Sequence, residues 1–451
     1  MSIPTGNEPA LRWPGIFRLG LVQAALGAVV VLVTSTLNRV MVVEYALPAL
    51  LPGGLVALHY AVQLVRPRFG FGSDRGGRRT PWIIGGMAVL SAGGVLCSIA
   101  TVLLHTHAAL GLALAIASYA MVGIGVGAAG TSLLVLMASR VDGQRRAAAA
   151  TIMWILMIAG FAITSAVMGR FLDPFSPQRL IQVTGIAAAA AFLIALAAVW
   201  NVERHDQRPA RETAPPRATP AHAFDGSGSF ATALDRVWRD PPTRAFTLFV
   251  FVSMLAYSAQ ELLLEPFSGL VFGYSVGESA KLSGSWHGSA LIGMIGVGLL
   301  CSGRRRFGSL RQWTIGGCCA SAAALASLGF ASVVGPGWPL RLSVLALGVS
   351  NGVFAVSAIG SMMELAHDGE SGNAGVRMGL WGAAQAIAFA FGGVLGTAIV
   401  DSFRWLFGSP TSAFAVVFCV EAVLFVAAAR LAVKARSVRR FSPPTPSAVI
   451  A

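Results

Sequence analysis

Two short polar stretches interrupt apolar runs and carry much of the chain's ionisable chemistry. The first contains Asn38, Arg39 and Glu44; the second contains Gln260, Glu261 and Glu265. A charge at the centre of a membrane span costs about 2.5–3.5 kcal/mol on insertion scales, so such residues persist where they pair, relay protons or meet a ligand. Opposite signs at Arg39 and Glu261 predict a salt bridge from Arg39 to Glu261 or Glu265, closing one side between two helices. The alternative is that each charge reaches the membrane surface on its own aliphatic stem. Glu44, Glu261 and Glu265 are also the carboxylates placed to carry protons. Glu421 stands alone in Val-Phe-Cys-Val-Glu-Ala-Val-Leu-Phe, where it either meets a partner helix or makes a buried hydrogen bond. The mid-run amides Gln23, Asn351 and Gln385 are expected to face a cavity or a neighbouring helix.

The elements that hold these residues follow from composition. The 451 residues are 55% hydrophobic and only 12% charged, with a mean hydropathy of +0.71. Soluble domains carry roughly 25% charged residues, so a water-facing surface could not be covered, whereas a lipid-facing one needs no charge. Spans of roughly 20 apolar residues are expected near 17–37, 45–65, 82–104, 108–138, 147–168 and 180–202. Six more are expected near 244–264, 283–303, 312–334, 339–366, 374–400 and 411–433. The reading is an all-α integral membrane protein of 12 transmembrane helices, with 1–16 as a cytoplasmic tail and 17–202 as one six-helix bundle. Residues 203–243 form a cytoplasmic linker with a short amphipathic helix around 230–238, 244–433 a second bundle, and 434–451 a basic cytoplasmic tail.

Orientation follows from the basic residues. With the N-terminus inside, only Arg39, Arg170, Arg179, Lys281, Arg341 and Arg404 of the 33 Lys and Arg lie outside, as the positive-inside rule requires of a chain with both termini cytoplasmic. The net charge of +14 is therefore an insertion signal, and nucleic acid is not an expected partner. The first 15 residues hold prolines and no apolar core, so no cleaved signal peptide is expected. Cys97, Cys301, Cys318, Cys319 and Cys419 lie in apolar runs at spacings that fit no zinc site and are expected to be small core residues. Trp82, Trp154, Trp286, Trp338, Trp381 and Trp405 are expected near span ends.

The two bundles echo one another. At an offset of 228, His59 meets His287, Gly70 meets Gly298 and Arg78 meets Arg306; at 227, Trp154 falls on Trp381, and Asp173 lies one residue from the partner of Asp401. Asn38-Arg39 meets Gln260-Glu261 at 222, and Glu44 meets Glu265 at 221. Parallel six-helix repeats around a linker describe the major facilitator architecture, with its cavity between the halves. The stretch Gly70-Phe-Gly-Ser-Asp74-Arg75-Gly-Gly77-Arg78-Arg79 resembles the signature loop of that superfamily. Its glycines permit a tight turn, its acid can cap a helix N-terminus, and its arginines can hold that acid or meet helix C-termini. The second copy has Ser302 where the acid would be.

Two further stretches narrow the resemblance. Thr34 to Glu44 and Ala259 to Gly269, with Gly72-Ser-Asp and Arg79-Thr-Pro-Trp82, are similar to the PucC family of phototrophic bacteria. Within it, they look like the branch named for a bacteriochlorophyll synthase chain. That resemblance implies an inner, intracytoplasmic membrane location and a role in handling bacteriochlorophyll or a late precursor. The implied partners are lipid, antenna polypeptides and late bacteriochlorophyll-synthesis enzymes. It implies no enzyme: the word synthase finds no support in a DDxxD-type pair that would hold magnesium diphosphate. Given a magnesium tetrapyrrole, His59 and His287 are the candidate axial ligands, with Gly288 leaving room beside the second; each is otherwise a helix histidine satisfied by a hydrogen bond. The alternative function is a major facilitator transporter of a small amphipathic solute, proton-coupled through Glu44, Glu261 or Glu265. An enzyme subunit of late bacteriochlorophyll synthesis is a third reading. Glycines 123, 125, 127 and 130, with Gly392 and Gly396, are read as close helix contacts.

Overall fold

The computed structural model describes residues 11, 13–66, 69, 78–141, 145–203, 238–239, 241–302, 307–367 and 374–434. Within these residues the chain is helical throughout its apolar runs. The helices are α1 Trp13–Glu44, α2 Leu50–Val65, α3 Thr80–Thr106, α4 Ala108–Arg140, α5 Arg146–Phe171, α6 Pro177–Val199, α7 Pro241–Phe272, α8 Val276–Ser302, α9 Leu310–Val334, α10 Leu340–His367, α11 Ala374–Phe407 and α12 Pro410–Lys434. Eleven are long and apolar enough to cross a membrane.

The exception is α2, expected over 45–65. It starts late because Ala46 adopts φ 52° and Pro48 has no N–H to continue the α1 ladder. At 1.5 Å per residue its described length is about 24 Å, short of a hydrocarbon core of about 30 Å. Conversely, α1 and α7 run well past their expected ends at 37 and 264. Both polar stretches are therefore helical, and α1 carries two π-helical stretches there, Leu32–Thr36 and Val40–Glu44.

Local signals set several boundaries. Ser176 caps α6, its hydroxyl accepting from the Arg179 N–H at 3.1 Å, with Pro177 at the first turn, where a missing N–H costs nothing. Ser309 and Gln312 form a reciprocal capping box at α9, and Gly335 ends that helix at φ 73°, a positive φ that glycine adopts without steric cost.

Helices α1–α6 pack mainly among themselves, as do α7–α12. The seam between the two groups is made by α5 against α8, α2 against α11, and the polar end of α1 against α7. Small residues allow close approach at the seam and within each group: a Cβ added at Gly284 of α8 would lie 2.9 Å from the Ala166 backbone nitrogen of α5, and one at Gly125 of α4 2.6 Å from that of Leu90 of α3. Leu299, Ile186 and Val333 point outward from the bundle, which suits an apolar solvent.

The expected tryptophan belt holds only in part. Trp405 is fully outward, but Trp286 and Trp381 are buried, packed on Tyr257 and Phe246 respectively. All five cysteines are free; Cys97 and Cys318 are buried, while Cys319 and Cys419 are exposed on the outer surface rather than in the core.

Candidate functional site

The polar stretches of α1 and α7 meet at the seam, and their side chains are almost wholly enclosed. Arg39, Asn38, Gln260, Glu261 and Glu265 are all buried. The expected salt bridge from Arg39 to Glu261 or Glu265 is not what forms. Arg39 Nη1 pairs with Glu44 Oε1 at 2.6 Å, one π-helical turn along its own helix. Its Nη2 donates to the Tyr274 carbonyl at 2.6 Å and its Nε to Ser279 Oγ at 3.2 Å. Arg39 still joins the two helix groups, through a carbonyl and a hydroxyl.

The two acids of α7 turn instead toward the hydroxyls of α1. Thr34 Oγ1 donates to Glu261 Oε1 at 3.0 Å, and Ser35 Oγ to Glu265 Oε1 at 2.7 Å. Thr34 and Ser35 lie one turn before Arg39, so one oxygen of each acid takes a hydroxyl of α1 rather than the guanidinium. Asn38 donates its amide to the Leu262 carbonyl. Pro266, four residues on, has no N–H to give that carbonyl, so Asn38 replaces the missing helical donor. On the far side of α7, Gln260 Oε1 accepts from Asn351 Nδ2 at 2.8 Å, and Asn351 Oδ1 accepts from Ser321 Oγ at 2.9 Å. Glu265 Oε2, Asn38 Oδ1 and Gln260 Nε2 have no hydrogen-bond partner.

The remaining intramembrane amides make weak contacts to sulfur. Gln23 Nε2 lies 3.2 Å from Met157 Sδ, and Gln385 Nε2 lies 3.8 Å from Met254 Sδ. Glu421 is neither offered to a partner helix nor hydrogen-bonded: it is buried within the chain, and both of its carboxyl oxygens lack a partner.

The two histidines are separate and chemically different. His59 Nε2 lies 2.9 Å from Gln63 Nε2, so that nitrogen is engaged and only Nδ1, beside the Cβ, is free. His287 has a free Nε2, sits between the Phe161 and Trp286 rings at 5.0 and 4.6 Å, and is followed by Gly288, which has open space where a Cβ would point. A neutral imidazole with an unengaged Nε2 is the donor that a magnesium tetrapyrrole requires. His287 Nε2 is unengaged but enclosed in this structure, and at His59 that nitrogen is engaged by Gln63.

Of the signature loop, Gly70, Asp74, Arg75 and Gly77 lie outside the described residues, as do residues 303–306 of its second copy, most of the linker including 230–237, and the tail from 435. Arg78 is exposed. Arg79 Nη1 donates to the Val135 carbonyl of α4 at 3.1 Å. The N-terminus of α3 is capped by a residue that the motif did not point to, Glu203, which accepts from the Arg79 and Thr80 N–H groups at 2.9 and 3.0 Å. Burial works against ionisation of Glu203, but these backbone donors and the nearby Arg140 hold its carboxyl below the ordinary carboxylate value.

Two more carboxylates bridge the seam at helix N-termini. Asp173, after α5, accepts from Ser275 Oγ at 2.8 Å and the Gly277 N–H at 2.9 Å, at the start of α8. Asp401 of α11 accepts from the Ala49 and Leu50 N–H groups at 2.9 and 2.7 Å, at the start of α2. The sequence offset paired these two acids without indicating what they bind.

This arrangement of two six-helix groups is that of the major facilitator transporters. The chain superposes on a D-xylose-proton symporter with a TM-score of 0.69 over 92% of this chain and 96% of that one, at 15% identity, a likeness that concerns the fold. The sequence identifies the family: residues 36–439 match the PUCC protein family, and the chain belongs to it. It is 50% identical, over 94% of its length and 95% of the relative's, to the bacteriochlorophyll synthase 44.5 kDa chain of Rhodobacter capsulatus. It is 28% identical to Protein PucC of Cereibacter sphaeroides, over 90% of this chain and 88% of that one.

Proposed function

We propose that this multi-pass membrane protein handles bacteriochlorophyll, or a late precursor of it, and passes the pigment to light-harvesting polypeptides or to a late biosynthetic enzyme. The reading is carried by the likeness, over nearly the whole chain, to a relative named for bacteriochlorophyll synthesis. It is supported by a seam that holds a buried histidine with a free Nε2. His287 would hold the pigment, while Phe161 and Trp286 fix the orientation of its ring. A bound magnesium tetrapyrrole would supply an electron-poor metal centre for the imidazole lone pair, and it would reach Nε2 where α5 and α8 part, because that atom is enclosed in this structure. The protein acts as a carrier and assembly factor with no chemical step of its own. It lies in the inner membrane with both termini cytoplasmic, an orientation supported by the distribution of its basic residues. A strain of a phototrophic host lacking this chain should make pigment at the normal rate and assemble less antenna absorbance; unchanged antenna absorbance would remove the assembly role.

The second reading is a proton-coupled transporter of a small amphipathic solute. It is favoured by Glu261 and Glu265, which are buried at the seam and hydrogen-bonded to hydroxyls of α1. Glu265→Gln would abolish uptake in this reading and leave pigment handling intact in the first.

A further inference from the structure

Inside the second helix group, three side chains pass hydrogen bonds in one direction. Ser321 Oγ of α9 donates to Asn351 Oδ1 of α10 at 2.9 Å, and Asn351 Nδ2 donates to Gln260 Oε1 of α7 at 2.8 Å. The chain ends on a spare donor, because Gln260 Nε2 has no partner. Glu421 of α12 has the opposite need, since both of its carboxyl oxygens lack one. Ser321, Asn351, Gln260 and Glu421 are each at most 2% exposed, so neither need is met from outside. Ring contacts place the acid at the level of the chain. Phe418 and Phe425 share the Glu421 face of α12, three residues before it and four after. They touch Phe267 of α7 at 4.9 Å and Phe354 of α10 at 5.6 Å, which turns Glu421 toward α7 and α10. Both α10 and α12 run antiparallel to α9, as the pairs Ser327–Ser343 with Ser321–Asn351, and Arg311–Val433 with Gly329–Cys419, require. Counted back from the Phe354–Phe425 contact at 1.5 Å per residue, Asn351 lies about 4.5 Å along α10 and Glu421 about 6 Å along α12, nearly one level.

We infer that Glu421 holds a proton inside the second helix group, at a small polar site where one water joins its carboxyl to Gln260 Nε2. Such a water accepts from the Gln260 N–H and from the acid O–H, and donates to the acid C=O. Three bonds are what a buried water makes on average, and these three meet the spare donor and both carboxyl oxygens together. An ionised Glu421 would leave one oxygen unmet and a charge unpaired, which is far more costly away from water. No charged side chain among the described residues acts on Glu421. On the helices packed against α12, Glu261 and Glu265 of α7 turn to α1, and Tyr257 packs on Trp286. Asp401 of α11 turns to α2, and Arg311 of α9 reaches the Val433 carbonyl. The buried Cys318 thiol, one turn from Ser321, is the other titratable group in this core. The site is separate from Glu44, Glu261 and Glu265, the acids of the transport reading, and needs neither pigment nor solute. Gln260 and Glu261 are consecutive on α7, so loss of the proton would disturb that helix between this site on one side and the seam on the other.

The test is the infrared difference spectrum of the full chain in mild detergent at neutral pH, parent minus Glu421→Gln. It should contain the carbonyl stretch of a protonated carboxylic acid, above the amide band, and no carboxylate stretch. Gln260→Leu, which takes away one partner of the water, should shift that carbonyl stretch without removing it. A carboxylate stretch in the difference spectrum, or a carbonyl stretch that Gln260→Leu leaves in place, overturns the site. A second measurement needs no variant. Hydroxyl radicals made from bound water by a brief X-ray pulse should oxidise Phe354 and Phe425 severalfold faster than Phe414, which is equally buried but two turns from Glu421 on α12. Equal, slow oxidation of all three rings would show that no water sits beside Glu421 and would overturn the site as well.

Discussion

Asn38 donates its side-chain amide to the Leu262 carbonyl, which Pro266 leaves without a helical donor. A proline four residues on removes the N–H that this carbonyl would otherwise accept. The α1–α7 contact is thus written into two distant residues, one of which creates the need that the other meets.

Asn38→Ala should therefore destabilise the protein by about 1–3 kcal/mol, the cost of a buried carbonyl without a partner. In a Pro266→Ala background the restored backbone N–H meets the same carbonyl, and the loss from Asn38→Ala should shrink to a fraction of that. Thermal unfolding of the four variants in one detergent measures the coupling; additive losses would show that the two residues do not share this task.

Asp173 and Asp401 lie 228 positions apart and each fastens a helix N-terminus across the seam. A carboxylate there gains from both the N–H groups and the helix dipole. Asp401→Ala should speed hydrogen exchange at Ala49 and Leu50 about tenfold, as expected for the loss of a charged hydrogen bond. If the two clasps close one interface, exchange near Gly277 should rise in the same variant. Exchange confined to the α2 start would show that they act independently.

Arg39 is buried while Glu44, its partner, is part-exposed, with 1% and 30% of the side chains accessible. The two ends of this pair should respond unequally. Arg39→Ala also removes the donor that the Tyr274 carbonyl accepts from, and should cost about 3–5 kcal/mol, as for a broken buried pair. Glu44→Gln keeps an acceptor oxygen and should cost less than half as much. Equal losses in thermal unfolding would count against the unequal burial as the cause.

Glu203 offers a pH signature outside the spans. Its carboxyl is held below the ordinary value of 4.5, so it contributes stability that is present above that value and is lost as pH falls toward its lower folded value. Between about pH 5 and 3 the parent should lose stability faster than Glu203→Gln, whose side chain has no charge to lose. Parallel melting curves over that window would show that the α3 cap makes no ionic contribution.

Much of the architecture was legible because lipid imposes long apolar runs and the basic residues bias the loops. The duplicated spacing of His59 with His287, and of Asn38-Arg39 with Gln260-Glu261, located the seam. The partner of Arg39 was not legible. Both Glu44 and Glu261 carry the required sign, and the choice turns on Thr34 and Ser35 taking the α7 acids first, which only the helix register shows. The late start of α2 depends on the backbone at Ala46, a residue type with no turn signal of its own. Glu203 was hidden because a cap 124 residues from the Arg79 N–H leaves no local pattern. The inequality of His59 and His287 rests on Gln63, whose amide reaches back one turn to the first histidine.

We propose that this chain binds a magnesium tetrapyrrole at the seam. The most direct measurement is the absorption spectrum of the protein purified in mild detergent from a pigment-producing phototrophic host, followed by solvent extraction. A near-infrared band with stoichiometric bacteriochlorophyll or late precursor is expected, diminished in His287→Ala and retained in His59→Ala. A well-folded, colourless protein, or a band indifferent to His287, would contradict it.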